Sequence, residues 1–396
     1  MYDRVNVNRR HFLVGTAGVT LLSGTGLPAL AQEGGGSGGL PDYVSWKEAD
    51  AFIQHSAQTL ETKRGEIGLS ALTPNDLVFV RNNLPSMTEE EIGDPEAWEV
   101  AIEGVAEGGS VTLADLRRRE PDTVACVLQC SGNGRAFFEH ETSGSQWSVG
   151  AAANVQWTGV PVAALVEEMG GIDGDKYFMT STGGENIPEG LDPLTVIIER
   201  SVPVEAMERA ILAFEMNGEP IPLAHGGPVR MIIPGYFGVN NVKHVKRVSF
   251  DMTESEASIQ QSGYRIRSVG ESGAPDQPSM YEMVVKSWVT HPLMETESGR
   301  IQIWGVAMGG TETLEGVEVS TDGGESWQAA RFVGPDMGPY AWRPFLLSAD
   351  LEAGTHRVAS RATTVSGETQ PQEFEPNHRG YGHNGWDAHA VDITVG

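Results

Sequence analysis

The chain is predicted to be an α+β protein of two domains, a mixed α/β domain followed by an immunoglobulin-like β-sandwich. Three observations carry that expectation. At 396 residues the chain exceeds what one ordinary core organises, so two domains are the default. From Leu40 to about Val269, helix-like and strand-like stretches alternate, whereas beyond Tyr281 only short strand candidates separated by turn chemistry remain. With 49 glycines and 20% charged residues, the composition suits a loop-rich globular protein rather than a disordered or fibrous one.

Ahead of both domains, Arg9-Arg10 precedes a moderately apolar run from Leu13 to Leu22, and Ala29-Leu30-Ala31 offers a small-residue cleavage site. The run contains glycines and falls short of the ~20 apolar residues of a membrane span. Residues 1–31 are therefore expected to be a twin-arginine signal directing the mature protein to the periplasm. That route carries proteins already folded, which hints at a cofactor loaded in the cytoplasm. Residues 32–40, with Gly34-Gly35-Gly36-Ser37-Gly38-Gly39, read as a flexible linker.

Residues 41–270 form the first expected domain. Helix-like stretches are Trp46–Thr62 and Pro161–Met169, and Thr112-Leu113-Ala114-Asp115-Leu116 reads as a short helix capped by its threonine. Strand candidates are Trp98–Ile102, Val124–Leu128, Val229–Ile233 and Val245–Phe250. The boundary is placed in the polar stretch Gly270–Pro278, and residues 271–396 form the second domain. Its strand candidates are Tyr281–Val289, Ile301–Ala307, Glu315–Ser320, Gln328–Val333, Phe345–Leu347 and Thr355–Thr363. Thr321-Asp322-Gly323-Gly324-Glu325-Ser326 is a hairpin signal between two of them. About seven short strands without a convincing helix predict the sandwich.

The formal net charge is −27, which disfavours nucleic acid and anionic membranes as partners. A basic protein partner is favoured electrostatically; the acidity also serves solubility by itself. Two cysteines cannot build a disulfide framework or a four-ligand zinc site. If Val124–Cys130 is a strand, Cys126 and Cys130 lie ~13 Å apart, too far to bridge. Cys126 is then a small buried hydrophobe, and Cys130, where the strand meets a glycine-rich loop, is the thiol free to act.

Basic residues recur among glycine and proline at four other places. Arg81 stands in Phe79-Val80-Arg81-Asn82-Asn83-Leu84-Pro85, and His225, Arg230 and Lys243 stand in a segment able to cradle a phosphate or other anion. Tyr264 lies between Gly263 and Arg265, and Arg379 precedes Gly380. Taken singly, each is as readily a surface charge or a packing residue.

Their joint order resembles the sulfite oxidase family of molybdenum enzymes over nearly the whole mature length. The resemblance rests on Phe79–Pro85, Gln129-Cys130-Ser131-Gly132-Asn133-Gly134-Arg135, Gln146-Trp147 and Trp157-Thr158-Gly159-Val160-Pro161. It continues through Glu215-Met216-Asn217-Gly218-Glu219-Pro220, the His225–Lys243 block, Glu368–Pro371 and Asn377-His378-Arg379-Gly380. It implies a molybdopterin-binding domain of sulfite oxidase fold and a dimerisation sandwich, hence a homodimer. It further implies a molybdenum-molybdopterin cofactor with Cys130 as the only protein ligand to the metal, a soft thiolate suited to that role. Phe79, Val80, Arg81, Asn82, Asn83, His225, Arg230, Asn241, Val242 and Lys243 would hold the pterin and its phosphate. Arg81, Arg135, Trp147, Tyr264 and Arg379 would form a pocket for sulfite, which is oxidised to sulfate.

Two positions depart from the family's pattern. Asn83 stands where a histidine is common, and Thr180-Ser181-Thr182-Gly183-Gly184 lacks the aspartate expected beside the pterin, leaving Asp192 as the alternative. No Cys-x-x-Cys-His for attached haem occurs, so electrons are expected to pass to an external acceptor such as a basic c-type cytochrome. Rival readings are another sulfur substrate (sulfane sulfur, thiosulfate or a sulfoxide) and a binding module on a catalytically dead scaffold.

Overall fold

In the computed structural model, residues 39–140 and 142–396 are described. The predicted export signal and most of the linker lie outside them. Among the described residues, no helix is long and apolar enough to cross a membrane.

Strands dominate the first part of the chain. One sheet runs in the order Gly109–Thr112, Glu99–Glu103, Val245–Asp251, Phe178–Gly183, Glu199–Pro203. Glu99–Glu103 pairs parallel with Val245–Asp251 across about 140 intervening residues, while the other neighbours are antiparallel. A second sheet holds Glu219–Pro220, Ile211–Met216, Ala152–Pro161 and Asp122–Gln129, with Arg230–Ile232 also paired to Ile211–Met216. Its strand Asp122–Gln129 is an edge, and Val127 N–H donates to the Tyr340 carbonyl (2.8 Å), so a loop of the second domain covers part of that edge. The helix Val162–Glu168 buries Val162, Leu165 and Val166, as the 3.6-residue spacing requires. Thr112 and Asp115 close a capping box on Leu113–Arg117.

The expected helix over Trp46–Thr62 does not form. Phe52–Ser56 and Thr59–Thr62 instead make an antiparallel hairpin joined to Val80–Arg81. Thr59, Leu60, Glu61 and Thr62 are all buried, so the segment has no polar helical face. The Glu61 carboxylate accepts from the N–H groups of Ser148 (2.8 Å) and Gly150 (3.0 Å), which holds the backbone extended.

Two four-stranded sheets form the sandwich. One is Lys286–His291, Gly299–Met308, Arg343–Leu351, Arg331–Phe332; the other is Gln328–Ala329, Leu314–Ser320, Gly354–Thr364, Val391–Val395. Val289, Ile303, Val317, Val319, Phe345 and Val358 meet between them. Asp322 closes the predicted hairpin by accepting from Ser326 N–H (2.9 Å) and the Ser320 hydroxyl (2.7 Å).

Three details of the second domain differ from expectation. The stretch Gln328–Val333 breaks into two short strands, and Val391–Val395 adds a strand missed in the sequence. The first strand begins at Lys286 rather than Tyr281, because the preceding residues pair elsewhere. Phe237 N–H donates to the Tyr281 carbonyl (2.9 Å) and Met283 N–H to the Gly235 carbonyl (2.8 Å). A joint core of Val149, Phe237, Met283, Trp288, Trp342 and Tyr381 then packs the two regions against each other.

Candidate active site

The strand Asp122–Gln129 stops one residue before Cys130 because the chain turns there. Asn133 N–H donates to the Cys130 carbonyl and Arg135 N–H to that of Gly132, both at 2.9 Å. Asn133 also staples the loop: its amide donates to Gln129 Oε1 (3.0 Å) and its Oδ1 accepts from Ala151 N–H (3.1 Å). Gly134 sits at φ 96°, a left-handed value that glycine adopts without strain. A side chain at Gly132 would put its Cβ 2.4 Å from the Arg135 guanidinium. The Gln129–Arg135 segment is thus built so that Cys130 projects from a rigid turn.

Cys130 is half-buried on the wall of a cleft. Cys126, inside the strand, is buried, and burial pushes its thiol up to about 12. The two thiols therefore differ in access. Among the described residues, no group of three or more His, Cys, Asp and Glu side chains is placed to hold a metal. A metal at Cys130 would have to draw its other ligands from a bound group.

The cleft wall brings together Phe79, Arg81, Asn82, Asn83, His225 and Arg230, and also Asn241, Val242, Lys243 and Tyr264. Arg230 is fixed by donating to the carbonyls of His225 (2.7 Å) and Asn241 (3.1 Å). Lys243 donates to Asn82 Oδ1 (2.5 Å) and to the Ala224 carbonyl (2.6 Å). Burial pulls Arg230 down to about 9 and holds Lys243 and His225 well below their ordinary values. None of the three forms an ion pair among the described residues.

Such a cluster is incomplete without an anion. Asn82 Nδ2, Ser131 Oγ and His225 Nε2 are also buried with no hydrogen-bond partner, although their residues line the cleft. Partnerless donors and uncompensated cations around one cavity fit the phosphate and polar ring of a pterin cofactor, with Cys130 free to supply a thiolate.

Five expected placements change. Val80 is fully buried beside Leu60 in a small core and does not face the cleft. Trp147 is also fully buried, its ring edge-on to Phe79 (6.4 Å) and His55 (4.9 Å), so it backs Phe79 rather than lining the pocket. Arg135 and Arg379 are set back from the cleft wall, their guanidinium carbons 5.5 and 5.9 Å from the Tyr381 ring centre. Asp192 is exposed and caps the turn Pro193–Val196 by accepting from Leu194 N–H (3.0 Å), so it is not the missing pterin-side acid.

The acid on the cleft wall is Glu185, which burial pushes up to about 7 against the opposing pull of Lys243 and Arg230. The usable signal was Gly183-Gly184 just before it: a Cβ at Gly183 would lie 2.2 Å from the Glu185 carboxylate. Leu128, Ser131, Ile198, Gly238 and Val239 complete the lining and were not singled out in the sequence. For Ser131 the signal was its place beside Cys130; the others carry none.

Residues 87–259 match the family described as oxidoreductase molybdopterin binding domain, and residues 277–395 match the Mo-co oxidoreductase dimerisation domain. The chain is 32% identical to sulfite oxidase of Gallus gallus over 345 residues, covering 80% of this chain and 72% of that one. It is equally 32% identical to mitochondrial sulfite oxidase of Rattus norvegicus over 354 residues, covering 82% of this chain. The chain spans 62% of the length of the rat and human mitochondrial proteins. The crystal structure of the sulfane dehydrogenase SoxCD from Paracoccus pantotrophus superposes with a TM-score of 0.72, covering 85% of this chain and 87% of that one. At 24% identity it speaks for a shared fold.

Proposed function

This chain belongs to the sulfite oxidase family of molybdenum enzymes, and from that premise we propose that it oxidises sulfite to sulfate and passes the electrons to an external acceptor. Molybdenum-molybdopterin, the cofactor of the family, supplies when bound the two-electron redox couple and the oxygen-atom transfer. In the overall reaction sulfite gains one oxygen derived from water and releases two electrons and two protons.

One observation carries the reading: the half-buried Cys130, Arg81 and Tyr264 share a cleft with Arg230 and Lys243, neither of which forms an ion pair among the described residues. Cys130 would hold the metal. Arg230, Lys243 and His225 would hold the phosphate, with Asn82 and Ser131 donating their unused hydrogen bonds. Glu185, whose carboxyl burial raises to about 7, would be about half protonated at neutral pH, and in that form would donate to a ring nitrogen or carbonyl. Arg81 and the Tyr264 hydroxyl would orient the sulfite oxygens, the arginine offering charge and two parallel donors.

The −27 charge supports a basic c-type cytochrome as the acceptor. The match to a dimerisation domain supports a homodimer. The paired Arg9-Arg10 supports periplasmic delivery by the twin-arginine route. Replacing that pair by lysine should leave the protein in the cytoplasm on fractionation. For the activity, holoenzyme mixed with sulfite should reduce ferricyanide or cytochrome c. A fully molybdenum-loaded sample that leaves both oxidised would sink the reading.

A further inference from the structure

Tyr381 belongs to the second domain by sequence, between the strands Gly354–Thr364 and Val391–Val395, yet it is buried against the first. Its backbone is clamped at both ends. Tyr381 N–H donates to Asn377 Oδ1 (2.9 Å), and the Asn377 amide returns a bond to the Tyr381 carbonyl (2.8 Å). One residue on, Gly382 N–H donates to the carbonyl of Ser131 (2.8 Å), the neighbour of Cys130. The loop is thereby registered against the Cys130 turn.

The Tyr381 ring touches three groups of interest at once. It stacks on Tyr264 with centres 5.2 Å apart and planes within 8°. The guanidinium carbons of Arg135 and Arg379 both lie within 6 Å of its centre. Arg135 also donates through Nε to the Arg379 carbonyl (2.9 Å), which draws the two arginine segments together. Like charges so placed repel, and the electron-rich ring face offsets that repulsion for both.

Tyr264 needs support for a second reason. Its φ of 45° is a left-handed value that costs a residue with a side chain energy unless its surroundings over-determine it. Those surroundings are the Tyr381 stack and the Arg200 guanidinium, 5.8 Å from the Tyr264 ring centre. Arg200 itself is fully buried and pinned by Asn240 Oδ1, the Ile259 carbonyl and the Ser279 hydroxyl. An aromatic ladder thus runs from the interior of the first domain to a loop of the second.

We propose that Tyr381 is a positioning residue for oxyanion binding, its ring holding Arg135 and Arg379, behind the cleft, in register with Tyr264 on the cleft wall. The inference rests on the reading that the cleft takes a small oxyanion. It assigns the work to the ring, not to the hydroxyl. Truncation should weaken sulfite and sulfate binding while leaving the anchoring cations, and so the bound cofactor, in place.

The test uses molybdenum-loaded wild type, Tyr381→Val, Tyr381→Leu and Tyr381→Phe, with sulfate binding measured by calorimetry beside KM and kcat for sulfite. Loss of one stacking and two cation–ring contacts should raise KM and the sulfate Kd about tenfold or more in the Val and Leu variants, with a smaller change in kcat. Tyr381→Phe, which keeps the ring, should recover both constants to within about threefold of wild type. Molybdenum content should be equal in all four. Wild-type constants in both truncations would overturn the proposal, as would a Phe variant as impaired as Val. If Tyr381→Val fails to fold, the Leu and Phe variants decide the matter between them. Sulfate binding without sulfite turnover in the wild type would contradict the sulfite reading while the binding comparison still judges Tyr381.

Discussion

Two unlike sets of residues line or back the cleft. His225, Arg230 and Lys243 come from one segment of 19 residues; His225 and Arg230 are buried, Lys243 is half-buried, and none forms an ion pair among the described residues. Cys130, Arg81, Tyr264 and the arginines behind Tyr381 come from four distant segments, and Arg379 and Tyr381 belong to the sandwich region. The first set is an anchor: Arg230 and Lys243 supply charge, and His225, whose proton affinity burial lowers, supplies a ring nitrogen without a partner. The second is a constellation, whose value lies in mutual position, and position is supplied by the packing of one domain on the other. Anchors should respond to loss of charge, and constellations to loss of shape.

The largest effect that separates the two is at the cysteine. Cys130→Ser should abolish turnover, because a hydroxyl cannot replace the thiolate donor, and metal content should fall with it in elemental analysis.

Next comes the anchor. Lys243→Met should weaken cofactor retention by roughly ten- to hundredfold, the worth of a hydrogen bond to a charged group. The cofactor-free protein should lose only about 1–3 kcal/mol in denaturant melts, the cost of leaving Asn82 Oδ1 and the Ala224 carbonyl without their donor. An equal loss of stability in both forms would remove the distinction between anchor and core.

A buried lysine outside the cleft sharpens the same point. Among the described residues Lys286 has one hydrogen bond, to the Asn133 carbonyl at 3.3 Å, and it lies near His383 and His389. Burial lowers it from 10.5 to about 7. The unfolded chain keeps this proton up to about 10.5 while the folded chain releases it above about 7, so the unfolded state binds more protons in between. Stability should therefore rise with pH across that window, by about 1.4 kcal/mol per unit for the fully titrating group. Lys286→Met should flatten the slope, and cofactor loading should not; a slope that loading removes would place Lys286 among the anchoring cations.

Cys126→Ser should have the smallest effect. It should keep turnover and lose about 1–3 kcal/mol of stability, the cost of a buried hydroxyl without a partner.

The same contrast decides what the sequence disclosed. The anchor was legible because its cations stand close together among glycines and prolines, a composition with few other uses. Cys130 was legible because strand spacing separated it from Cys126 and a glycine loop followed. Trp147 was assigned to the pocket by the family resemblance, which does not say which way its indole points; here it points into the core behind Phe79. Glu185 escaped notice although Gly183-Gly184 stands just before it, and Tyr381 because a tyrosine in ordinary surroundings carries no local mark; both acquire meaning only from residues far along the chain. The hairpin Phe52–Thr62 was misread as a helix for a related reason: Glu61 is held extended by Ser148 and Gly150, which no local pattern reveals. At fold level the sandwich was clear from its turn chemistry, apart from its last strand.

The central claim is that this cleft oxidises sulfite. Steady-state kinetics on sulfite, thiosulfate and a sulfoxide, with molybdenum measured in the same sample, test it most directly. The account predicts turnover per molybdenum with sulfite far above that with the other two. Full molybdenum occupancy with sulfite inert, or with thiosulfate the better substrate, would contradict it.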